Sequence, residues 1–186
     1  MSKKQLSKFM SGLLRHFPDE YDLQYDSRGW FELDDVVKCV NNKNNYSNVT
    51  REDIINIVNQ DEKGRYEIDS SGDLIRAVYG HSIDVEPEQD TSDDIPDKLY
   101  HGTPERNKES IMNNGLLPQN RQKVHLTDSK SEARSVGLRH TKSHEDVVLF
   151  VIDTKEVQSN GFDIQNPTGE SVYTVSKIPS DYISVE

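Results

Sequence analysis

Adjacent arginine and histidine residues occur twice in the chain and could bind a phosphate group. Arg15-His16 directly follows an apolar helical pattern, and Arg139-His140 occurs in the second half of the chain, again after a leucine. A planar guanidinium beside an imidazole can hold a phosphate by charge-assisted hydrogen bonds. Cations are also favoured at helix C-termini by the helix dipole, and position alone favours that structural explanation for Arg15-His16. The spacing does not decide between the two pairs.

Three further arginines lie at predicted strand or loop positions. Arg65 and Arg76 are predicted on the two strands of a hairpin, and Arg121 precedes the alternating segment Val124-His125-Leu126-Thr127. An isolated arginine at such a position is usually solvated. Each of these arginines therefore indicates a functional role only when it is considered together with the others.

The segment His101-Gly102-Thr103 follows the apolar pattern of a predicted strand. Glycine permits close approach of the backbone, and Thr103 before Pro104 is expected to cap a helix that ends before Gly115. Such a segment could bind a polar ligand near a helix N-terminus. A helix cap with an incidental histidine is the simpler interpretation, and this segment alone favours it.

Several common catalytic motifs are absent. The sequence has no phosphate-binding P-loop, no dinucleotide-binding glycine pattern, no His-Glu-x-x-His motif and no nucleophile elbow. The six histidines are scattered, and the single cysteine, Cys39, excludes an intrachain disulfide and a four-cysteine zinc site. We therefore expect no metal.

The net charge of −11 is concentrated in one short segment. Residues 1–83 and 98–186 carry net charges of only −3 and −1, whereas residues 84–97 carry −7 and include two prolines. This pattern predicts a first lobe at 1–83, an acidic linker at 84–97 and a second lobe at 98–186. Broad electrostatic capture of nucleic acid is disfavoured, so any bound polyanion should be held by a few placed groups.

The first lobe is predicted to contain three short helices and then a β-hairpin. Ser2 with Gln5 and Thr50 with Asp53 are capping boxes for the first and third helices, and Asp34 is expected to cap the second. This order of elements is that of a winged helix, although the order is a weak indication by itself.

The second lobe is predicted to be dominated by a sheet. Residues 147–152 form a continuous apolar run that is typical of a central strand. Shorter alternating segments at 124–127 and 171–175 predict further strands, and 129–136 predicts a helix. The predicted class of the whole chain is α+β.

Together, these segments resemble the RNA 2′-phosphotransferase family, also called KptA. The resemblance extends from about Leu6 to Tyr182, and its motifs occur in the family's order. They are Leu14-Arg15-His16-Phe17-Pro18, Gly29-Trp30, Arg65-Tyr66-Glu67, Ile75-Arg76-Ala77-x-x-Gly80-His81-Ser82, Leu99-Tyr100-His101-Gly102-Thr103, Gly115-Leu116, Arg121-x-x-Val124-His125-Leu126-Thr127 and Val136-Gly137-x-Arg139. Near the C-terminus, Glu170-Ser171-Val172-Tyr173 departs at three positions from the family's Asn-Gly-Val-Trp.

The resemblance implies a winged-helix lobe, followed by an ADP-ribosyltransferase-like lobe that binds NAD as a co-substrate. It implies that an internal RNA 2′-phosphate attacks the NAD ribose and expels nicotinamide. The ribose O2″ then attacks phosphorus, which leaves RNA 2′-OH and ADP-ribose 1″,2″-cyclic phosphate.

The resemblance also assigns residues to this reaction. Its catalytic set corresponds to Arg15, His16, Arg65 and Arg121. Its NAD-binding residues correspond to His101, Gly102, Thr103, His125 and Thr127. The expected partner is 2′-phosphorylated RNA, with tRNA as the favoured substrate.

Two other functions stay open at the level of sequence. An ADP-ribosyltransferase could stop after the first step and modify terminal phosphates of nucleic acids. A winged-helix binding module could carry an inactive second lobe. No apolar run reaches 18 residues and the N-terminus lacks an apolar stretch, so we expect a cytoplasmic protein without a membrane partner. We also expect a monomer, although the sequence itself does not give the oligomeric state.

Overall fold

The chain divides into two compact units in the computed structural model. The units are Met1–Gln89 and Asp90–Glu186, and the structure describes residues 2–42, 48–86, 94–141 and 146–186. Both units contain helices and small sheets, which confirms the predicted α+β class. Residues 87–93 of the predicted linker lie outside the described residues.

In residues 2–42 and 48–86, the first unit contains three α-helices and a three-stranded antiparallel sheet. The elements in chain order are α1 (Lys3–Leu13), β1 (Phe31–Glu32), α2 (Leu33–Asn42), α3 (Arg51–Asn59), β2 (Tyr66–Ile68) and β3 (Leu74–Ala77). The strand order is β1-β3-β2, so the predicted hairpin of β2 and β3 is present. A 3-10 helix at Pro18–Tyr21 follows α1.

Local capping explains where two of these helices begin. Both predicted capping boxes are present, at Ser2 with Gln5 and at Thr50 with Asp53. The prediction for Asp34 was wrong, because α2 starts at Leu33 and Asp34 lies within its first turn. A carboxylate there still interacts favourably with the helix dipole.

An apolar core connects the elements of the first unit. Leu13 and Met10 of α1, Phe31 of β1 and Ile75 of β3 are fully buried in it. This core fixes the end of α1 beside the hairpin, because burying these side chains removes large apolar areas from water.

The second unit contains two sheets and three helices in its described part. The elements are β4 (Lys98–Pro104), α4 (Lys108–Asn114), β5 (Val124–Leu126), α5 (Lys130–Leu138), β6 (Val147–Asp153), α6 (Thr154–Ser159), β7 (Tyr173–Val175) and β8 (Ile183–Val185). One antiparallel sheet has the order β4-β6-β8, and β5 pairs with β7 in the other. The apolar run at 147–152 is therefore the central strand, as predicted.

The segment around Thr103 differs from the prediction. Strand β4 continues through Thr103 and Pro104, and a 3-10 helix at Glu105–Asn107 separates it from α4. Thr103 is therefore not a helix cap, because its backbone pairs with Val148 across the sheet. Gly115 does follow the end of α4, with a φ of 81° that suits glycine.

Two glycines allow α5 to lie against β4. A Cβ atom on Gly102 would lie 1.9 Å from the carbonyl oxygen of Ala133 in α5. A Cβ atom on Gly137 would lie 3.0 Å from the backbone nitrogen of Thr103. The close approach that Gly102 permits is therefore an approach of helix to strand.

Candidate active site

Arg15 lies in the turn after α1 with its side chain drawn back along the helix. Its Nη1 donates to Ser11 Oγ at 3.0 Å, and only 7% of the residue is exposed. The guanidinium carbon lies 4.8 Å from the centre of the Tyr79 ring, a cation–π distance. Gly80, with a φ of 88°, brings its backbone beside the same guanidinium. The group is thus held on several sides, which pre-organises it for binding an anion.

His16 is exposed beside this buried arginine. Its Nδ1 lies 3.0 Å from Ser82 Oγ, and the backbone nitrogen of Ser82 donates to the carbonyl oxygen of Arg15 at 2.9 Å. The turn after α1 and the chain after β3 are therefore joined side by side. This places an imidazole at the surface on the residue that directly follows the buried Arg15.

Arg65 precedes β2 and lies near enough to Tyr79 for their charges to interact. Its Nε and Nη2 donate to Asp61 Oδ1 at 2.8 and 2.6 Å, and the Asp61 side chain is almost completely buried. Burial raises the pKa of Tyr79, and the positive charges of Arg15 and Arg65 partly oppose this. Both guanidinium groups are therefore near the phenol, and the structure brings Arg15, His16 and Arg65 together in the first unit.

His81 and Arg76 lie beneath this cluster. His81 is 3% exposed, and burial, with the nearby positive charges of Arg15, His16 and Arg76, lowers its pKa to about 4. The His81 ring is therefore neutral at physiological pH. Arg76 donates to Glu67 Oε2 at 2.8 Å and lies over the Trp30 ring at 4.4 Å.

Sequence reasoning did not select the residues that hold these arginines. Ser11 and Asp61 each precede their arginine by four residues, a spacing that could have indicated a contact on a helix for Ser11. Tyr79 has no local indication, because it meets Arg15 and Arg65 only through the tertiary fold.

In the second unit, His101 and His125 come from neighbouring strands. His101 Nδ1 lies 3.1 Å from the backbone oxygen of His125. A carbonyl oxygen only accepts, so Nδ1 carries the proton and Nε2 is the acceptor in the neutral ring. Burial lowers the pKa of His101, and the hydrogen bond to the His125 carbonyl partly opposes this. The ring therefore presents an acceptor nitrogen suited to a hydroxyl group.

Thr103 and Thr127 are buried and make local hydrogen bonds. Thr103 Oγ1 accepts from Asn107 Nδ2 at 2.8 Å, and Thr127 Oγ1 accepts from the Ser129 nitrogen at 3.2 Å. Backbone hydrogen bonds join Thr127 to Tyr100 of β4. The predicted NAD-binding residues therefore lie on adjoining strands of one unit, and Gly102 faces α5.

Thr174 lies opposite His125 on β7 and was missed by sequence reasoning. The residue is 1% exposed, and its Oγ1 has no hydrogen-bond partner within the described parts of the chain. Buried hydroxyl groups are usually hydrogen-bonded, so this one marks a place where a polar ligand could bind. Only strand pairing places it beside His125.

Arg121 and Arg139 are exposed residues of the second unit. Arg121 lies in the loop before β5, where its backbone nitrogen donates to Pro118 at 2.9 Å. Arg139 caps the C-terminus of α5, a position that suits a cation. The two Arg-His pairs therefore differ, because Arg15 is buried in a cluster and Arg139 is at the surface.

Within residues 2–42, 48–86, 94–141 and 146–186, no group of three or more histidine, cysteine, aspartate or glutamate side chains could hold a metal ion. Over the same ranges, no helix has both the length and the apolar character needed to cross a bilayer.

The first unit thus groups arginine and histidine side chains of the kind that suit an anion, and the second unit separately has acceptors of the kind that suit hydroxyl groups. Residues 1–174 match the model of the RNA 2′-phosphotransferase, Tpt1 / KptA family, and the chain belongs to this family, whose members are transferases.

Similar proteins in other organisms cover nearly the whole chain. A probable RNA 2′-phosphotransferase of Thermococcus kodakarensis is 42% identical over 98% of this chain and 97% of its own length. Probable RNA 2′-phosphotransferases of Pyrococcus horikoshii and Archaeoglobus fulgidus are 41% and 40% identical. They cover 97% and 98% of this chain and 97% and 80% of their own lengths, respectively.

Proposed function

We propose that this protein is an NAD-dependent RNA 2′-phosphotransferase that removes an internal 2′-phosphate of the kind left at tRNA splice junctions. The observation that carries the proposal, in a chain of this family, is that the buried Arg15 lies against Tyr79, near Arg65, and is followed directly by the exposed His16. The products would be RNA with a 2′-hydroxyl group, nicotinamide and ADP-ribose 1″,2″-cyclic phosphate.

The first unit supplies charge neutralisation and alignment. A phosphate oxygen is already anionic near neutral pH, so it needs no general base to act as a nucleophile. It does need fixed cationic donors, which Arg15 and Arg65 supply from pre-arranged positions. Arg121 keeps the catalytic role that the family resemblance implies.

The order of elements supports a winged-helix assignment for this unit. Three helices precede the β2–β3 hairpin, and β1 completes the small sheet. We extend the proposal to an ADP-ribosyltransferase-like second unit, which is supported by the family match.

The second unit has donors and acceptors that fit the ribose groups of NAD. His101 Nε2 is an acceptor, and the buried Thr174 hydroxyl is available within the described residues. NAD would supply the electrophilic ribose carbon, and His101, His125 and Thr127 would hold and orient it. Gly102 and Thr103 would act on the NAD site by positioning β4. Gly102 lets α5 pack against the strand, and the Thr103 hydroxyl accepts a hydrogen bond from Asn107.

The test is incubation with NAD and a short RNA that bears one internal 2′-phosphate, with products resolved by mass spectrometry. We expect loss of the phosphate and formation of ADP-ribose cyclic phosphate. A stable ADP-ribosylated RNA would instead indicate an enzyme that stops after the first step. Unchanged NAD with RNA still bound would indicate a binding module.

Arg65→Ala tests the proposed role of Arg65 in binding the phosphate. Arg134→Ala is the control, because it also removes one arginine, at an exposed position on α5 where the side chain forms an ion pair with Glu186. Removing one charge-stabilising donor typically costs about 100- to 1,000-fold in rate. We expect that loss for Arg65→Ala and near-normal turnover for Arg134→Ala.

A further inference from the structure

The first 18 residues carry cations and no acidic side chain, in a chain whose net charge is −11. Their cations, apart from His16, are Lys3, Lys4, Lys8 and Arg15. All three lysines belong to α1, the helix that ends immediately before the Arg15-His16 turn. A local positive field therefore adjoins the candidate phosphate site.

Two of these lysines lie with Ser11 on one face of α1, and Arg15 continues the same spacing in the turn that follows the helix. Lys4, Lys8, Ser11 and Arg15 follow one another at steps of four, three and four residues. Such steps place side chains above one another on a helix. The buried residues Leu6, Phe9, Met10 and Leu13 occupy the opposite face. We call the aligned set the α1 stripe.

The lysines of the α1 stripe are exposed and available. Within the described residues, the side chains of Lys4 and Lys8 make neither a hydrogen bond nor an ion pair. Lys3 differs, because its Nζ donates to Gln60 Oε1 at 3.2 Å. Arg15 connects the stripe to the phosphate site, since its guanidinium reaches back to Ser11.

Helix stability does not explain a lysine in the first turn of α1. The partial positive charge of a helix N-terminus disfavours cations there, and this first turn has no acidic residue. Lys4 therefore opposes the dipole of its own helix. A binding role accounts for a charge that local stability disfavours.

We propose that the α1 stripe binds the RNA backbone that flanks the 2′-phosphate, with Lys4 and Lys8 contacting successive phosphates. The inference rests on the proposed function, because the stripe leads to the site that would hold the 2′-phosphate. Lys4 and Lys8 lie about 6 Å apart along the helix axis. That separation is comparable to one nucleotide step of an extended strand, so one strand can contact both side chains.

The experiment compares Lys4→Gln/Lys8→Gln with the control Lys38→Gln/Lys155→Gln. The control residues are exposed lysines on α2 and α6, paired on the surface with Asp35 and Asp97. Both double variants change the net charge equally. Binding and turnover are measured with a 2′-phosphorylated dinucleotide and a 2′-phosphorylated ten-residue RNA, at 50 mM and 200 mM salt.

We expect Lys4→Gln/Lys8→Gln to weaken binding of the ten-residue RNA and to leave the dinucleotide reaction unchanged. Each phosphate contact on a single strand contributes about 0.7 to the salt slope, so two lost contacts make the weakening about sevenfold larger at 50 mM than at 200 mM. The control should retain the wild-type salt slope.

Several outcomes would overturn the proposal. It fails if both double variants behave alike, or if Lys4→Gln/Lys8→Gln weakens the dinucleotide and the ten-residue RNA equally. If the wild-type protein processes neither RNA, the proposed function fails as well. If the wild-type protein processes the RNA but Lys4→Gln/Lys8→Gln binds the ten-residue RNA with an unchanged Kd, the proposed role of the α1 stripe is rejected and the proposed function stands.

Discussion

At the scale of single residues, the geometry around Arg15 makes its guanidinium shape as important as its charge. The group donates to Ser11 and lies against the Tyr79 ring, two contacts that a planar fork can make at once. A lysine ammonium is a compact charge on a flexible stem and cannot reproduce both. A lysine at position 15 would therefore keep the positive charge but not both contacts.

We accordingly predict that Arg15→Lys lowers 2′-phosphate transfer about 100-fold or more while the protein stays folded. Steady-state kinetics with the 2′-phosphorylated RNA measures this loss, and circular dichroism reports folding. Arg134→Lys, at an exposed position on α5, should leave transfer nearly unchanged. Retained activity in Arg15→Lys would show that charge alone suffices.

His81 makes stability depend on pH. Its pKa is about 4 in the folded protein and 6.5 in an ordinary environment, because burial and nearby cations disfavour its charged form. The unfolded chain therefore binds a proton at a higher pH than the folded chain. Stability from the neutral ring is complete above pH 6.5 and is lost as the pH falls towards 4.

The resulting loss of unfolding free energy is about 3 kcal/mol, since each pKa unit corresponds to about 1.4 kcal/mol. Urea unfolding of His81→Asn and the wild type between pH 7 and pH 4 measures it. We expect a shallower pH dependence in His81→Asn, whereas His140→Asn, at an exposed position, should follow the wild type. Parallel curves for His81→Asn and the wild type would contradict this assignment.

At the scale of elements, the contact between β4 and α5 requires a glycine. A Cβ atom on Gly102 would lie far inside the contact distance of the Ala133 carbonyl oxygen, a backbone atom that cannot rotate away. Accommodating a methyl group requires the helix to move. His101 and Thr103 on the same strand would move with it.

Gly102→Ala should therefore destabilise the protein by about 1–3 kcal/mol or more, and weaken NAD binding. Gly161→Ala is the control, because a Cβ there meets no atom within 4 Å while its φ of 85° still disfavours alanine. It should cost about 1 kcal/mol from backbone strain alone. Thermal unfolding compares the two variants, and a loss for Gly102→Ala no larger than that for Gly161→Ala would contradict the predicted collision with α5.

At the scale of the whole molecule, charge limits how the protein can bind RNA. The chain carries −11 overall, and seven of its acidic side chains lie within residues 84–97. Long-range attraction of RNA is therefore weak, and affinity must come from local contacts, for which we propose the Arg15–His16–Arg65 cluster and its neighbours.

Because local contacts should dominate, we predict that a 2′-phosphorylated RNA binds at least about tenfold more tightly than the same RNA with a free 2′-hydroxyl group. A ratio of this size is expected when charge-assisted hydrogen bonds to one phosphate supply most of the affinity. Fluorescence anisotropy with the two matched RNAs at one salt concentration checks the ratio. Equal affinities would indicate that the general backbone contacts dominate instead.

The sequence alone determined the elements whose formation depends on local patterns. The capping boxes at Ser2 and Thr50, the β2–β3 hairpin and the buried strand β6 follow from side-chain spacing and turn residues. The ordered motifs also identified the family. These features depend on residues close together in the chain, which is why they could be predicted.

The tertiary structure decided which charged groups meet and how they are held. Sequence spacing gave Arg15 and Arg139 equal standing, whereas packing buries Arg15 against Tyr79 and leaves Arg139 exposed. It also placed Thr103 within a strand, because pairing with β6 outweighs the local preference for a helix start. Contacts between distant segments set burial, and burial sets the protonation state of His81 and the orientation of Arg15.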